Sequence, residues 1–184
     1  RAGVRVPTPY GCFDGVLLME LVTAGNGEVA PRLNDVHLTP EQAREDHAVM
    51  MDYVVKMLSA GLEHGDLSEF NVLVDEYGPV IIDLPQAVDA AANNHAESML
   101  TRDIENMTEY YGQYAPELLG TRHAQELWTI YESGELTPDT VLTGRFEEDE
   151  SSADVDGLML EIKAVMEEEQ ARRDRLRDAE ADEE

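Results

Sequence analysis

The amino-acid sequence predicts an α+β lobe in which helices dominate and the strands are few and short. Three observations carry this. Apolar residues recur at helical spacing through residues 40–60, 96–114 and 116–134. Short apolar runs at 16–22, 71–74 and 80–82 are bounded by glycine, asparagine and acidic turns. The 184 residues suffice for one core and contain no internal repeat.

Residues 1–13 include Pro7 and Pro9 and read as an extended lead-in. Asp14-Gly15 signals a turn, and 16–22 then has the unbroken apolar character of a strand buried on both faces. Gly25-Asn26-Gly27 ends it, and 29–38 is loosely ordered or a short helix. Thr39-Pro40-Glu41-Gln42 is a strong helix start: a Thr cap, Pro at the first helical position and Gln at the capping-box position. Ala43, His47, Met50, Met51, Val54, Val55 and Leu58 follow at helical spacing, and Gly61 stops the helix. Strands at 71–74 and 80–82 come next. Asn94-His95-Ala96-Glu97 opens a second helix with a stripe from Met99 to Tyr111, and Pro116 opens a third that ends near Gly134. Thr137-Pro138-Asp139 caps a turn reaching Leu142. The composition shifts at Glu147: residues 147–184 hold 16 acidic and 5 basic residues. Val155, Leu158, Met159, Ile162, Val165 and Met166 form a modest helical stripe there, and the charged end beyond Glu167 is expected to fray. The division is thus 1–25, lead-in and first strand; 26–146, the main lobe; 147–184, an acidic, partly helical tail.

A formal charge of −27 opposes direct binding to a nucleic-acid backbone or an anionic membrane. Lys56 and Lys163 are the only lysines. Acid excess with scarce lysine suits a protein adapted to high salt, so the thermal unfolding midpoint is expected to rise with salt. A midpoint indifferent to salt would sink that reading. No apolar run of 18 residues occurs and no signal-peptide pattern opens the chain. Cys12 is the lone cysteine, which rules out an internal disulfide, fits a reducing cytoplasm, and is expected simply to pack. The chain opens on Arg1, which reads as a fragment or a processed product.

The chemistry gathers in one stretch, His64-Gly65-Asp66-Leu67-Ser68-Glu69-Phe70-Asn71-Val72-Leu73, followed by Pro79-Val80-Ile81-Ile82-Asp83. Asp and Asn favour turns on their own account, and a lone Asp-x4-Asn would mean no more than that. Here an apolar strand follows Asn71 and a second one ends in Asp83. A hairpin of that size brings Asn71 and Asp83 together at its open end, where both reach one cation. With Asp66 to orient a hydroxyl, this layout suits metal-assisted phosphoryl transfer.

His64-x-Asp66-x4-Asn71 with the later Asp83 resembles the catalytic and metal-binding loops of the protein-kinase-like fold. Ser68-Glu69 inside the loop, Ile81-Ile82-Asp83-Leu84-Pro85-Gln86-Ala87-Val88, His95-Ala96 and Arg102-Asp103-Ile104-Glu105-Asn106 narrow the resemblance to the RIO-type atypical serine/threonine protein kinases. It covers roughly residues 4–115, and the later part is similar to bacterial members.

The resemblance implies a mainly helical C-terminal lobe of a kinase-like fold, binding ATP with Mg²⁺, or Mn²⁺ in its place. Asp66 would be the catalytic base or hydroxyl-orienting carboxylate. Asn71 and Asp83 would hold the metal. Met19 would be the gatekeeper, the Glu20 carbonyl and Val22 amide would meet the adenine edge, and Leu73 and Ile82 would lie against the adenine and phosphates. His64 would fix the loop through a backbone hydrogen bond. Asp103 would be either solvated or a loop anchor. Ser68 stands where ordinary kinases carry a lysine, a departure the RIO type shares. Asp83 leads into Leu-Pro-Gln, too short a route to the next helix for a long activation loop. His37, His47, His95 and His123 show no zinc spacing.

No Gly-rich loop and no Lys–Glu pair precede the first strand, so an N-terminal lobe is expected to be missing and the isolated chain to turn over negligibly. The partners implied are ATP and a protein substrate of unknown identity, with no membrane and no nucleic acid. Two rivals stand beside this reading. A small-molecule phosphotransferase of the aminoglycoside or choline kinase kind also carries His-Gly-Asp-x4-Asn and a later Asp. A non-catalytic scaffold lobe would use its helices and acidic tail to bind a partner.

Overall fold

Helix α1 (Pro40–Ser59) is the spine of the lobe, and its start follows from sequence alone. In the computed structural model, which describes residues 2–84 and 87–146, the Gln42 amide donates to the Thr39 hydroxyl at 3.2 Å and the Thr39 amide to the Gln42 side chain at 3.0 Å. Two otherwise orphaned donors are thereby satisfied. Gly61, at φ +78°, turns the chain sharply after the helix, a conformation that favours glycine. Helix α2 (Ala96–Gly112) and helix α3 (His123–Glu132) pack against α1.

The core between them is built from Met50, Val55 and Leu58 of α1, Ile104, Met107 and Tyr111 of α2, and Leu127 of α3, all essentially inaccessible to water. Each such side chain contributes about 1.5–3 kcal/mol by leaving solvent. The His47 and His123 rings lie 5.3 Å apart in this core, tilted at 52°, and burial holds both below the ordinary histidine range, His47 at about 4.

Among the described residues six short strands make three separate two-stranded antiparallel ladders. Strand β1 (Pro9–Phe13) pairs with β2 (Val16–Met19), β3 (Leu62–Glu63) with β6 (Val88–Asp89), and β4 (Val72–Asp75) with β5 (Gly78–Ile81). The lead-in runs beside β5: the Ile81 amide donates to the Arg5 carbonyl at 2.9 Å, and the Arg5 guanidinium forks onto both Asp75 oxygens at 3.0 and 2.5 Å. A short 3₁₀ turn, Leu33–Asp35, fills part of the 29–38 stretch, and Tyr110 donates to the Leu33 carbonyl at 2.6 Å.

Several expectations need correcting. The strand at 16–22 is not buried on both faces: β2 ends at Met19, every residue in it is exposed, and Leu18 is 54% accessible. Its only neighbour among the described residues is β1, itself part of the lead-in, so nothing covers either face. Cys12 does not pack but lies exposed on β1. The helix read from Pro116 to Gly134 is two elements, a 3₁₀ turn at Pro116–Gly120 and then α3. The break comes where Thr121 is extended (φ −83°, ψ 149°). Pro85, Gln86 and the tail stripe from Val155 to Met166 lie outside the described residues.

Glu63 is the misfit of this core. It is 2% exposed, and neither carboxylate oxygen has a hydrogen-bond partner. Burial, reinforced by the nearby Asp103 carboxylate, raises its pKa from 4.5 to about 7. The folded state therefore holds a proton that the unfolded state gives up. Stability from this group is intact below pH 4.5 and lost as pH rises through about 7. Glu63→Gln is accordingly expected to be more stable than the parent at pH 8, by about 3 kcal/mol at about 1.36 kcal/mol per pH unit. The two should converge below pH 5. Denaturant unfolding at both pH values checks this, and a gap that does not change with pH would refute it.

Candidate functional site

The loop from His64 to Asn71 is held from below by α2. Asp103, 2% exposed, accepts the Gly65 amide at 2.7 Å and the Leu67 amide at 2.9 Å, one on each carboxylate oxygen. Arg102 donates to the Gly65 carbonyl, and Asn106 to the Leu67 carbonyl at 3.0 Å. Three residues spaced along one helix thus clamp both ends of a three-residue turn, with Leu67 buried beneath it. Of the two roles open to Asp103, solvated or anchoring, the second holds. Leaving water raises its pKa, and the two amides and His64 work in the opposite sense.

His64 closes the loop from the other side. Its Nδ1 accepts the Asp66 amide at 3.3 Å, so Nε2 carries the proton and donates to the Ile82 carbonyl at 3.0 Å. This is the backbone-fixing part expected of it, and it ties Asp66 to the segment that carries Asp83.

Asn71 and Asp83 meet as the hairpin predicts. The Ile82 amide donates to the Asn71 carbonyl at 2.9 Å, extending the β4–β5 ladder by one rung, and both residues line the same cleft. The Asn71 Nδ2 donates to the Asp66 carbonyl at 2.8 Å and lies 3.4 Å from Asp66 Oδ2. That commits the amide nitrogen and leaves the Asn71 Oδ1 as an acceptor. Asp83 is exposed and sits at φ +64°, a left-handed conformation for a non-glycine residue that commonly accompanies function. An amide oxygen and an uncommitted carboxylate are the hard donors a divalent cation takes, and such a cation keeps most of its ligands from phosphate and water. The residues fit. Among the described residues no cluster of three or more His, Cys, Asp or Glu side chains forms a metal cage.

The cleft has a volume of about 630 Å³ and is mostly apolar. Met19, Glu20 and Val22 form one wall, and Leu73, Ile82 and Asp83 the other. Val22 buries its side chain with Ala30 and Val80, and Leu73 packs on that cluster. The Glu20 amide donates to the Thr8 carbonyl at 2.9 Å, while the Thr8 amide goes to the Glu20 carboxylate at 3.0 Å rather than to its carbonyl. Among the described residues neither the Glu20 carbonyl nor the Val22 amide has a main-chain partner. Asp66 is half-buried and stands beside the cleft, joined to it through Asn71.

The structure therefore brings together seven of the eight singled-out residues as cleft walls, with Asp66 adjoining. Arg32, which no sequence signal singles out, also lines the cleft, and of the anchoring trio only Asp103 is given a possible anchoring role by the sequence, Arg102 and Asn106 entering only as part of a family-like motif. The one usable signal for the trio was its i, i+1, i+4 spacing on a helix.

A family model described as "RIO domain" matches residues 1–124. Among relatives, the RIO-type serine/threonine-protein kinase Rio1 of Haloferax volcanii is 40% identical over 111 residues, which is 60% of this chain and 37% of that one. Rio2 of Methanocaldococcus jannaschii is 38% identical over 113 residues, covering 60% and 40%. The human serine/threonine-protein kinase RIO1 is 31% identical over 144 residues, covering 77% and 23%. The matched region thus spans two fifths or less of each of these relatives.

Proposed function

The chain belongs to the RIO-domain family, and from that membership we propose that it carries the lower half of a serine/threonine protein kinase site that transfers a phosphoryl group from ATP. The observation that carries the proposal is the convergence of Asn71 and Asp83 on one cleft wall, opposite the free main-chain groups of Glu20 and Val22, with Asp66 beside them.

In this reading adenine lies between Met19 and Leu73, with its edge at the Glu20 carbonyl and the Val22 amide, and Ile82 supports the phosphates. Asn71 Oδ1 and the Asp83 carboxylate would hold Mg²⁺, which when bound offsets the phosphate charge. Asp66 orients the incoming hydroxyl and takes its proton. The Asn71 bond to the Asp66 carbonyl keeps that base at a fixed offset from the cation donors. Residues 1–25 would be lead-in and hinge, 26–146 the lobe proper, and 147–184 an acidic tail. A second lobe would rest on the β1–β2 hairpin, which the exposed Phe13, Val16, Leu17 and Leu18 support. We place the protein in the cytoplasm on its single cysteine. No helix among the described residues is long and apolar enough to cross a membrane.

The test is calorimetric titration of the complete gene product with ATP, with and without Mg²⁺, followed by transfer of labelled phosphate to a protein acceptor. Metal-dependent binding and a phosphoserine or phosphothreonine product are expected. Transfer to choline or an aminoglycoside instead of protein would replace this reading with the small-molecule one.

A further inference from the structure

The cleft presents a charge problem. Its acidic lining is Glu20 and Asp83, the chain as a whole carries −27, and its expected ligand is a polyanion. The His64–Asn71 loop contains no lysine or arginine. Among the described residues lining the cleft, a single side chain is cationic: Arg32.

Three features make Arg32 more than a stray surface charge. Its main chain is fixed, because it bridges antiparallel to Leu73, the Val74 amide donates to the Pro31 carbonyl at 2.9 Å, and the Asp35 amide donates to the Arg32 carbonyl at 3.0 Å. Residues facing each other across an antiparallel bridge project to the same face. Side chains two apart on a strand also share a face, so Arg32, Leu73 and Asn71 point into the cleft together, Asn71 lying about 7 Å further along. An arginine side chain spans that distance. Finally, none of the ion pairs among the described residues uses Arg32; they engage Arg5, Arg44 and Lys56. Arg32 stands exposed at the cleft with its guanidinium uncommitted to a carboxylate.

We propose that Arg32 is a nucleotide-positioning residue whose guanidinium meets the phosphate chain of the bound nucleotide, supplying from the wall after the hinge the positive charge that the His64–Asn71 loop lacks. The proposal rests on the nucleotide-binding reading above. A planar fork of donors suits phosphate oxygens, and a charge-assisted pair in a partly dry cleft is far stronger than one in open water. Arg32 forms no bond with the transferred group and moves no proton; it acts by holding the phosphates in line with Asn71 and Asp83.

The experiment compares the complete gene product with its Arg32→Ala and Arg32→Lys variants, each titrated calorimetrically with Mg·ATP, Mg·ADP and adenosine. Arg32→Ala is expected to weaken Mg·ATP about 10- to 100-fold, Mg·ADP less, and adenosine not at all. Arg32→Lys should recover part of the loss, and thermal midpoints should agree among the three proteins. Equal Mg·ATP affinity in parent and Arg32→Ala overturns the proposal while leaving the kinase reading intact. An equal loss for adenosine and ATP also overturns it, since that outcome describes a contact to base or ribose or a disturbed fold. If the parent binds no nucleotide, the reading of the cleft fails, and the role of Arg32 with it.

Discussion

Alanine in place of Asp66 is expected to lower phosphoryl transfer by the complete gene product by roughly 10²–10⁴, the usual worth of a positioned base, while Mg·ATP affinity changes little. The two readouts separate because of how the loop is tied. The short bond from Asn71 goes to the Asp66 carbonyl, a main-chain group that survives the substitution, and the side-chain approach at 3.4 Å is too long to contribute much. The His64 bond also reaches the Asp66 amide rather than its carboxylate. Asp66→Ala should therefore leave Asn71 and Asp83 where they are. Single-turnover transfer rates measured beside calorimetric affinities provide the check. Unchanged transfer would remove Asp66 from the chemistry, and a parallel loss of affinity would make it a structural residue.

The second large effect is on stability. Asp103→Ala removes an acceptor from two amides, Gly65 and Leu67, that are buried with it. Each stranded donor costs about 1–3 kcal/mol, so a loss of about 3–5 kcal/mol is expected, a large share of the 5–15 kcal/mol typical of a domain. Asp103→Asn keeps one acceptor oxygen but turns an NH₂ group toward the other amide, and should fall between. Denaturant unfolding measures both. A loss under about 1 kcal/mol for the alanine variant would mean the loop stands without α2. Transfer activity at a temperature where the variant is still folded should drop as well, because Asp66 lies between the two anchored amides.

What could be read in the sequence was what is decided locally. The Thr39–Gln42 capping box is a matter of four adjacent residues, and it appears where expected. The β4–β5 hairpin is set by an acidic turn between two apolar runs, and its register puts Asn71 opposite Ile82, the residue before Asp83. What could not be read depends on partners distant in the chain. An apolar run such as Val16-Leu17-Leu18-Met19 looks the same covered or bare. Only the fold tells that β1 alone lies beside it. The β3–β6 rungs join Leu62 to Asp89 and Glu63 to Val88, far apart in the chain, and leave no local mark. Arg32 looks like any surface arginine in the sequence until its bridge to Leu73 turns it into the cleft, and for Asp103 the sequence leaves solvated and anchoring roles open until the two amides it accepts decide between them. The split at Thr121 follows an ordinary-looking Gly120, which a helical stripe simply runs across.

The exposed β1–β2 hairpin also bears on how the chain behaves in company. A two-stranded ladder leaves two rows of unpaired main-chain donors and acceptors, and here, apart from Pro9 at the start of β1, they are flanked by the exposed Phe13, Val16, Leu17 and Leu18 with no lysine to blunt them. Mutual repulsion between molecules of charge −27 opposes edge-to-edge pairing. Salt shortens the reach of that repulsion to about 10 Å at 0.1 M and about 3 Å at 1 M. The same ions that relieve crowding of acids within one molecule let the bare edges of two molecules meet. Colloidal and conformational stability are thus set against each other along a single axis, ionic strength, and the chain's working range is the interval in which both are satisfied.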